Sequence, residues 1–203
     1  HEAGARLHTD TCVTRLTRHG EHWRLDTPAG SVSARSVVLA TNAYTDGLWP
    51  GLRRTLLPMV SVALATEPLS ECLRATVLPG RRTLSDTRLA IYFARYDADH
   101  RLVFGCVGSG DAVDAWGGRR RLEKGLLRVF PQLVGTRIES TWAGRIAVTP
   151  EMMPRLHEPA PGVTAALGFS GRGIAMTSVM GRALTRKILG DAEGTLPFPV
   201  VPI

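Results

Sequence analysis

Cysteine is scarce in this chain. Cys12, Cys72 and Cys106 are the only three, odd in number and without paired spacing. That pattern excludes a disulfide scaffold and suits a reduced compartment. Lysine is scarcer still, with only Lys124 and Lys187, so the formal net charge of +7 comes mainly from arginine. A basic surface attracts phosphate. Here, though, the arginines are scattered, and their densest run, Arg119-Arg120-Arg121, opens a predicted helix. No zinc-finger spacing, aromatic RNA-binding strand or lysine-rich tail accompanies it, which argues against a nucleic-acid partner. Aromatics make up 6% of the residues, so each is worth weighing.

No apolar run approaches the roughly 20 residues that a membrane span needs, and no signal peptide is visible. The expectation is a cytoplasmic protein without a membrane partner. His19 and His22 lie near a turn with no companion ligands at metal spacing, so no metal site is expected. His100 and His157 lack identifiable acid–base partners, and Ser170 is not in a Gly-x-Ser-x-Gly elbow, which argues against a hydrolase. The chain begins at His1 rather than Met. A processed product, or a piece of something longer, is expected.

What is present reads as a mixed α/β (α+β) chain of 203 residues, 44% of them hydrophobic. That is enough for one sizeable core or two small lobes. His1 to Leu7 reads as the end of a helix or its exit. Thr11 to Leu16, His22 to Asp26 and Gly30 to Ala34 read as strands of a small antiparallel meander, turned at Thr27-Pro28-Ala29-Gly30. Ser36 to Thr41 is a short continuous apolar strand of the kind buried in parallel sheets. Its usual glycine-rich loop and crossover helix are not upstream.

After a break at Pro50 to Pro58, Val60 to Thr66 reads as a strand. Leu89 to Arg95 and Arg101 to Gly105 read as a hairpin. Leu122, Leu126, Leu127 and Phe130 form the apolar stripe of a helix that Pro131 stops, and Arg137 to Trp142 is a further strand. Trp142 is expected in the core. The last third gives a strand at Gly162 to Leu167, the turn Gly168-Phe169-Ser170-Gly171-Arg172-Gly173, and a helix from Ile174 to Leu189 stopped at Gly190. The expected division is 1–54, 55–148 and 149–203, with the outer two segments forming one nucleotide-type lobe around an inserted antiparallel one.

Strand, glycine-rich turn and helix is the strongest local signal. Glycines let the backbone turn tightly and approach a ligand. The free N–H groups and positive dipole end of the following helix favour a carbonyl oxygen or phosphate. A plain strand-to-helix connection explains the same spacing equally well. The turn is not the usual dinucleotide fingerprint, because no βαβ continuation with an acidic ribose partner follows.

Taken in order, four segments resemble the FAD-dependent D-amino-acid oxidase superfamily: Val37 to Tyr44, Leu64 to Leu69, Trp142 to Pro150 with Met153-Pro154, and Gly168 to Gly173 followed by Ser178 and Gly181. The nearest group is that of gamma-glutamylputrescine oxidoreductase and its glycine or sarcosine oxidase-like relatives. The resemblance implies a partial FAD-binding Rossmann-like lobe with an inserted antiparallel-sheet substrate lobe. It implies hydride transfer from an amine or amino-acid substrate to the flavin. Val13, Ala40, Thr41, Asn42, Trp49, Gly144, Ser170, Gly171, Arg172, Gly173, Ile174 and Ala175 then become cofactor contacts.

Arg145 is expected either to bind a substrate carboxylate through its planar fork or to make an ion pair. Tyr92 and Tyr96 either line the substrate pocket or pack the sheet. Trp49 either covers the ring or packs. The superfamily's Gly-x-Gly-x-x-Gly segment is absent, so an N-terminal half is expected to be supplied covalently or by another chain. Gly144 stands where sarcosine oxidases carry a flavin-linked cysteine, which implies non-covalent FAD. Ala175 stands where they carry a lysine that promotes reaction with oxygen, which leaves another electron acceptor open. The competing reading is a non-catalytic interaction or assembly subunit that keeps the fold.

Overall fold

The computed structural model describes residues 4–88, 91–108, 117–190 and 196–203. In chain order the first strands are β1 (Arg15–His19), β2 (His22–Thr27), β3 (Gly30–Ala34), β4 (Val37–Leu39) and β5 (Leu57–Pro68). Helix α1 (Glu71–Thr76), β6 (Leu84–Ser85), β7 (Tyr92–Tyr96) and β8 (Arg101–Gly108) follow. Then come α2 (Gly117–Val129), β9 (Ile138–Val148), β10 (Arg155–Ala160), β11 (Val163–Leu167) and α3 (Gly173–Ile188). The chain divides into two compact units, one of His1–Leu57 with Ala147–Ile203, the other of Pro58–Ile146. The mixed α/β class expected from the sequence is the one observed.

The first unit contains the β1-β2-β3 meander and a second sheet of order β10-β11-β4. β11 runs parallel to β4, with Ala165 opposite Leu39, and antiparallel to β10. Every residue of β11 is buried, Thr164 included, as suits a central strand. Trp23, Val37, Leu39, Leu52, Val163 and Leu167 form one core cluster. The Trp23 indole N–H donates to the Pro161 carbonyl at 3.0 Å, which joins the meander to the β10–β11 turn. α3 contributes Met180 and Leu184 to a second cluster with Leu156, Ala166 and Phe169.

The second unit is a five-stranded sheet of order β6-β7-β8-β5-β9. Leu64, Leu102 and Phe104 on its strands bury against Leu122, Leu126 and Phe130 from α2 and the residue that follows it. Those helical residues recur at i, i+4 and i+8, so one stripe of α2 meets the sheet. The Phe104 and Phe130 rings meet edge to face at 6.4 Å.

The structure departs from the expected local structure at several places. Gly4–Leu7 are not helical; His1–Ala3 lie outside the described residues. The first strand begins at Arg15 rather than Thr11, and its pairing extends back only to Thr14, whose N–H donates to Asp26 O at 2.8 Å. Beyond that point the partner strand runs into Pro28, which has no N–H to offer. β10 and α1 have no counterpart among the sequence expectations. Trp142 is 47% exposed rather than core, because β9 is an edge strand. Among the described residues, no helix is long and apolar enough to cross a membrane.

Candidate functional site

β4 and β11 are parallel neighbours, so the loops leaving their carboxyl ends emerge at the same edge of the sheet. In open α/β sheets that edge is where ligands bind. The loop after β4 carries Ala40, Thr41 and Asn42; the loop after β11 carries Gly168 to Arg172 and feeds α3. One side chain ties them together: Asn42 Oδ1 accepts from the Gly168 N–H at 3.0 Å. Asn42 has φ +45°, a left-handed conformation that asparagine tolerates better than most residues.

The glycine-rich turn is held from below and open above. Gly168 has φ +77°, and a Cβ there would lie 2.5 Å from Thr149 Cγ2, so both conformation and space demand glycine. The Ser170 N–H donates to Ala147 O at 2.9 Å. Its hydroxyl donates to Gly168 O at 3.2 Å and accepts from the Thr149 N–H at 3.4 Å. Thr149 in turn closes the next loop, its hydroxyl bonding Met153 O at 2.7 Å. The Arg172 guanidinium donates to Met152 O at 3.1 Å.

By contrast, a Cβ on Gly171 would meet nothing within 4 Å, and one on Gly173 only Phe169 Cβ at 3.8 Å. Three non-glycine residues with positive φ, Asn42, Met152 and Ser170, belong to these connected loops. Such strain clusters where a loop must present its backbone to a ligand.

α3 begins at Gly173 with no side-chain cap and no acidic residue in its first turn. Its first intrahelical bond runs from Met176 N–H to Arg172 O. The amides of Gly173, Ile174 and Ala175 precede it and have no acceptor inside the helix. Ile174 is 96% exposed. A shallow, strained backbone surface therefore ends in an uncapped positive helix end, which suits the edge of a flat ligand carrying negative charge.

The other expected site residues are distributed as follows. Val13 is half-buried just before β1, and Thr41 Oγ1 lies 2.7 Å from Thr45 Oγ1. Trp49 is half-buried and packs edge to face on Trp23, with centroids 5.9 Å apart. Gly144 and exposed Arg145 lie on β9. Tyr96 is buried in the second unit, its hydroxyl donating to Val77 O at 2.7 Å. Of the two expected roles of Tyr96, this is the placement of a residue that packs the sheet. Tyr92 stacks against Phe104 at 5.1 Å and faces a separate cleft beside α2.

Sequence reasoning missed Thr149, whose buried hydroxyl organises the Met152–Met153 loop. The Thr149-Pro150 pair was its only signal. Among the described residues no group of His, Cys, Asp or Glu is arranged to hold a metal.

Comparison with known proteins converges on one family. The model of the FAD dependent oxidoreductase family DAO matches residues 1–187. The chain is 33% identical over 198 residues to the probable oxidoreductase OrdL of Haemophilus influenzae, covering 95% of this chain and 44% of that protein. It is 30% identical over 203 residues to the gamma-glutamylputrescine oxidoreductase of Escherichia coli, covering 98% and 47%. The chain thus spans about half the length of these curated relatives.

Among solved structures, L-proline dehydrogenase from P. horikoshii matches with TM-score 0.78 and 21% identity, over 97% of this chain and 54% of that one. Glycine oxidase from Geobacillus kaustophilus matches with TM-score 0.75 and 20% identity, over 92% and 50%. At these identities the likeness is one of fold.

Proposed function

Because the chain belongs to the DAO family of FAD-dependent oxidoreductases, we propose that it is the carboxy-terminal part of an enzyme oxidising a C–N bond of an amine or amino acid. The observation that carries this reading is the joined pair of loops at the carboxyl ends of β4 and β11, open at Gly171 and Gly173 and leading into an uncapped helix. The residues that would hold FAD are Ala40, Thr41 and Asn42 with Ser170 to Ala175. The resemblance to the family adds Val13 and Gly144. When bound, FAD supplies the acceptor of the hydride equivalent, at N5.

The chain's own contributions are electrostatic and positional. The uncapped start of α3 stabilises negative charge developing beside it. Asn42, Ser170 and Thr149 fix the loops in advance, so no reorganisation is required as that charge forms. Arg145 is the proposed ligand of a substrate carboxylate, with a planar fork suited to two parallel hydrogen bonds.

Gly144 supplies no thiol, and Cys12, Cys72 and Cys106 are remote in sequence, which supports non-covalent binding. Ala175 in place of a lysine supports an acceptor other than oxygen. The identity to gamma-glutamylputrescine oxidoreductase supports an amine that carries a carboxylate at some distance from the reacting nitrogen. Activity is proposed to require an amino-terminal half, joined covalently or supplied by another chain.

The test is co-production of the chain with the segment encoded upstream of His1. The expected result is a yellow protein absorbing near 450 nm that reduces an artificial electron acceptor faster than oxygen when offered an amine panel. A colourless complex would sink the flavoprotein reading and leave an assembly subunit in its place.

A further inference from the structure

The second unit carries a cleft of about 600 Å³ between α2 and the β7–β8 hairpin, independent of the loops described above. That volume lies in the usual range for small-molecule sites, roughly 300–1,000 Å³. Its helical wall is strongly basic. Arg121, Lys124 and Arg128 follow one another at i, i+3 and i+7 along α2, all exposed and all lining the cleft. No ion pair or hydrogen bond links any of the three to a carboxylate among the described residues. The acidic residue of the same helix, Glu123, pairs with Arg119 at 2.8 Å, and neither of those two lines this cleft.

The sheet-side wall is Tyr92, with the Arg88 guanidinium 4.8 Å from its ring centroid. The floor is set by Gly125, where a Cβ would fall 2.7 Å from Tyr92 Cζ. Glycine inside a helix is disfavoured relative to alanine. At this position it lets the tyrosine ring sit down on the helix and keeps the space above it open.

The arrangement is unfavourable for a bare helix. Like charges three and four residues apart repel. A multiply charged anion in the cleft relieves that repulsion, and the guanidinium forks and ammonium supply charge-assisted donors for it.

We propose that this cleft is a binding site for a small organic polyanion, one bearing phosphate groups or clustered carboxylates. The assignment stands apart from the flavin reading, since it uses none of the same residues.

Inorganic pyrophosphate, titrated calorimetrically into the whole chain at ionic strength fixed with sodium chloride, is expected to bind saturably at one site and to raise the thermal unfolding midpoint. Lys124→Gln and Arg128→Gln should each weaken binding about tenfold. Arg119→Gln, with the same charge loss on the same helix, should leave it unchanged. Circular dichroism of each variant without anion confirms that the helix persists. Citrate competing at similar concentration would assign the site to clustered anions in general; failure of citrate beside tight pyrophosphate would restrict it to phosphate compounds. Heat that never saturates, or an equal loss in Arg119→Gln, would overturn the proposal. So would a hexaglutamate peptide that binds and that pyrophosphate does not displace, because the cleft would then be an acidic-polypeptide surface.

Discussion

At the scale of single residues, Gly168 carries two constraints at once. Its φ of +77° disfavours any side chain, and Thr149 and Leu56 leave no room for one. Gly168→Ala is expected to cost about 2–4 kcal/mol from strain and overpacking together, read as a lowered midpoint in chemical unfolding. The glycines of this turn were legible in the sequence as a set. What each one does was not, because Gly171 and Gly168 look alike until their neighbours are known. Asn42 was picked out as a cofactor residue, yet its side chain is used to brace the opposite loop. A hydrogen bond across 126 residues leaves no trace in local spacing.

His157 reads in the sequence only as a histidine without an acid–base partner. It is fully buried, and its Nδ1–H donates to Val201 O at 2.9 Å. Burial holds its imidazole below the ordinary value of 6.5. The unfolded chain therefore binds a proton that the folded one resists. The resulting contribution to stability is complete above about pH 6.5 and is lost as pH falls from there through the folded value. Urea midpoints of the wild-type chain should drop between pH 7.5 and 5, and His157→Gln should flatten that dependence.

At the scale of elements, the strand–turn–helix unit and the meander were the most legible parts, because each carries its own periodicity and turn residues. β10 was not legible. Its sequence, Arg155-Leu156-His157-Glu158-Pro159-Ala160, mixes charges with a proline, and its ladder shifts register between His157 and Ala160. It is a strand because buried β11 needs a partner on that flank, which is a tertiary demand.

The start of α3 offers a sharper test than its packing does. Ala175→Glu places an anion in the first turn, where the dipole welcomes it, so thermal stability should hold or rise slightly. The same charge would repel an electron-rich ligand edge, and flavin affinity measured by fluorescence should fall about tenfold. Parallel losses of stability and affinity would point to general damage. Loss of affinity alone places the helix start at the cofactor.

At the scale of the whole molecule, the two units have separate cores, and the sequence showed both as a change of character near Pro58. The second passage lies inside β9, which runs unbroken from Ile138 to Val148. Phe104 is fully buried in the second core, against Tyr92 and Phe130. Phe104→Ala should cost about 3–5 kcal/mol. Hydrogen exchange should then accelerate at β5, β7 and β8 while the amides of β11 keep their protection.

The strands that begin and end the inserted unit, β5 and β9, are neighbours in its sheet. The Glu67 N–H donates to Arg137 O at 2.9 Å near their far ends. An insert whose entrance and exit share one ladder behaves as a cassette. It can be lengthened, recoloured with new side chains or exchanged for a cousin's version through two splice points, while the outer segments keep their own pairing. Sequence change can then accumulate in the cassette without redrawing the lobe that carries the glycine-rich turn.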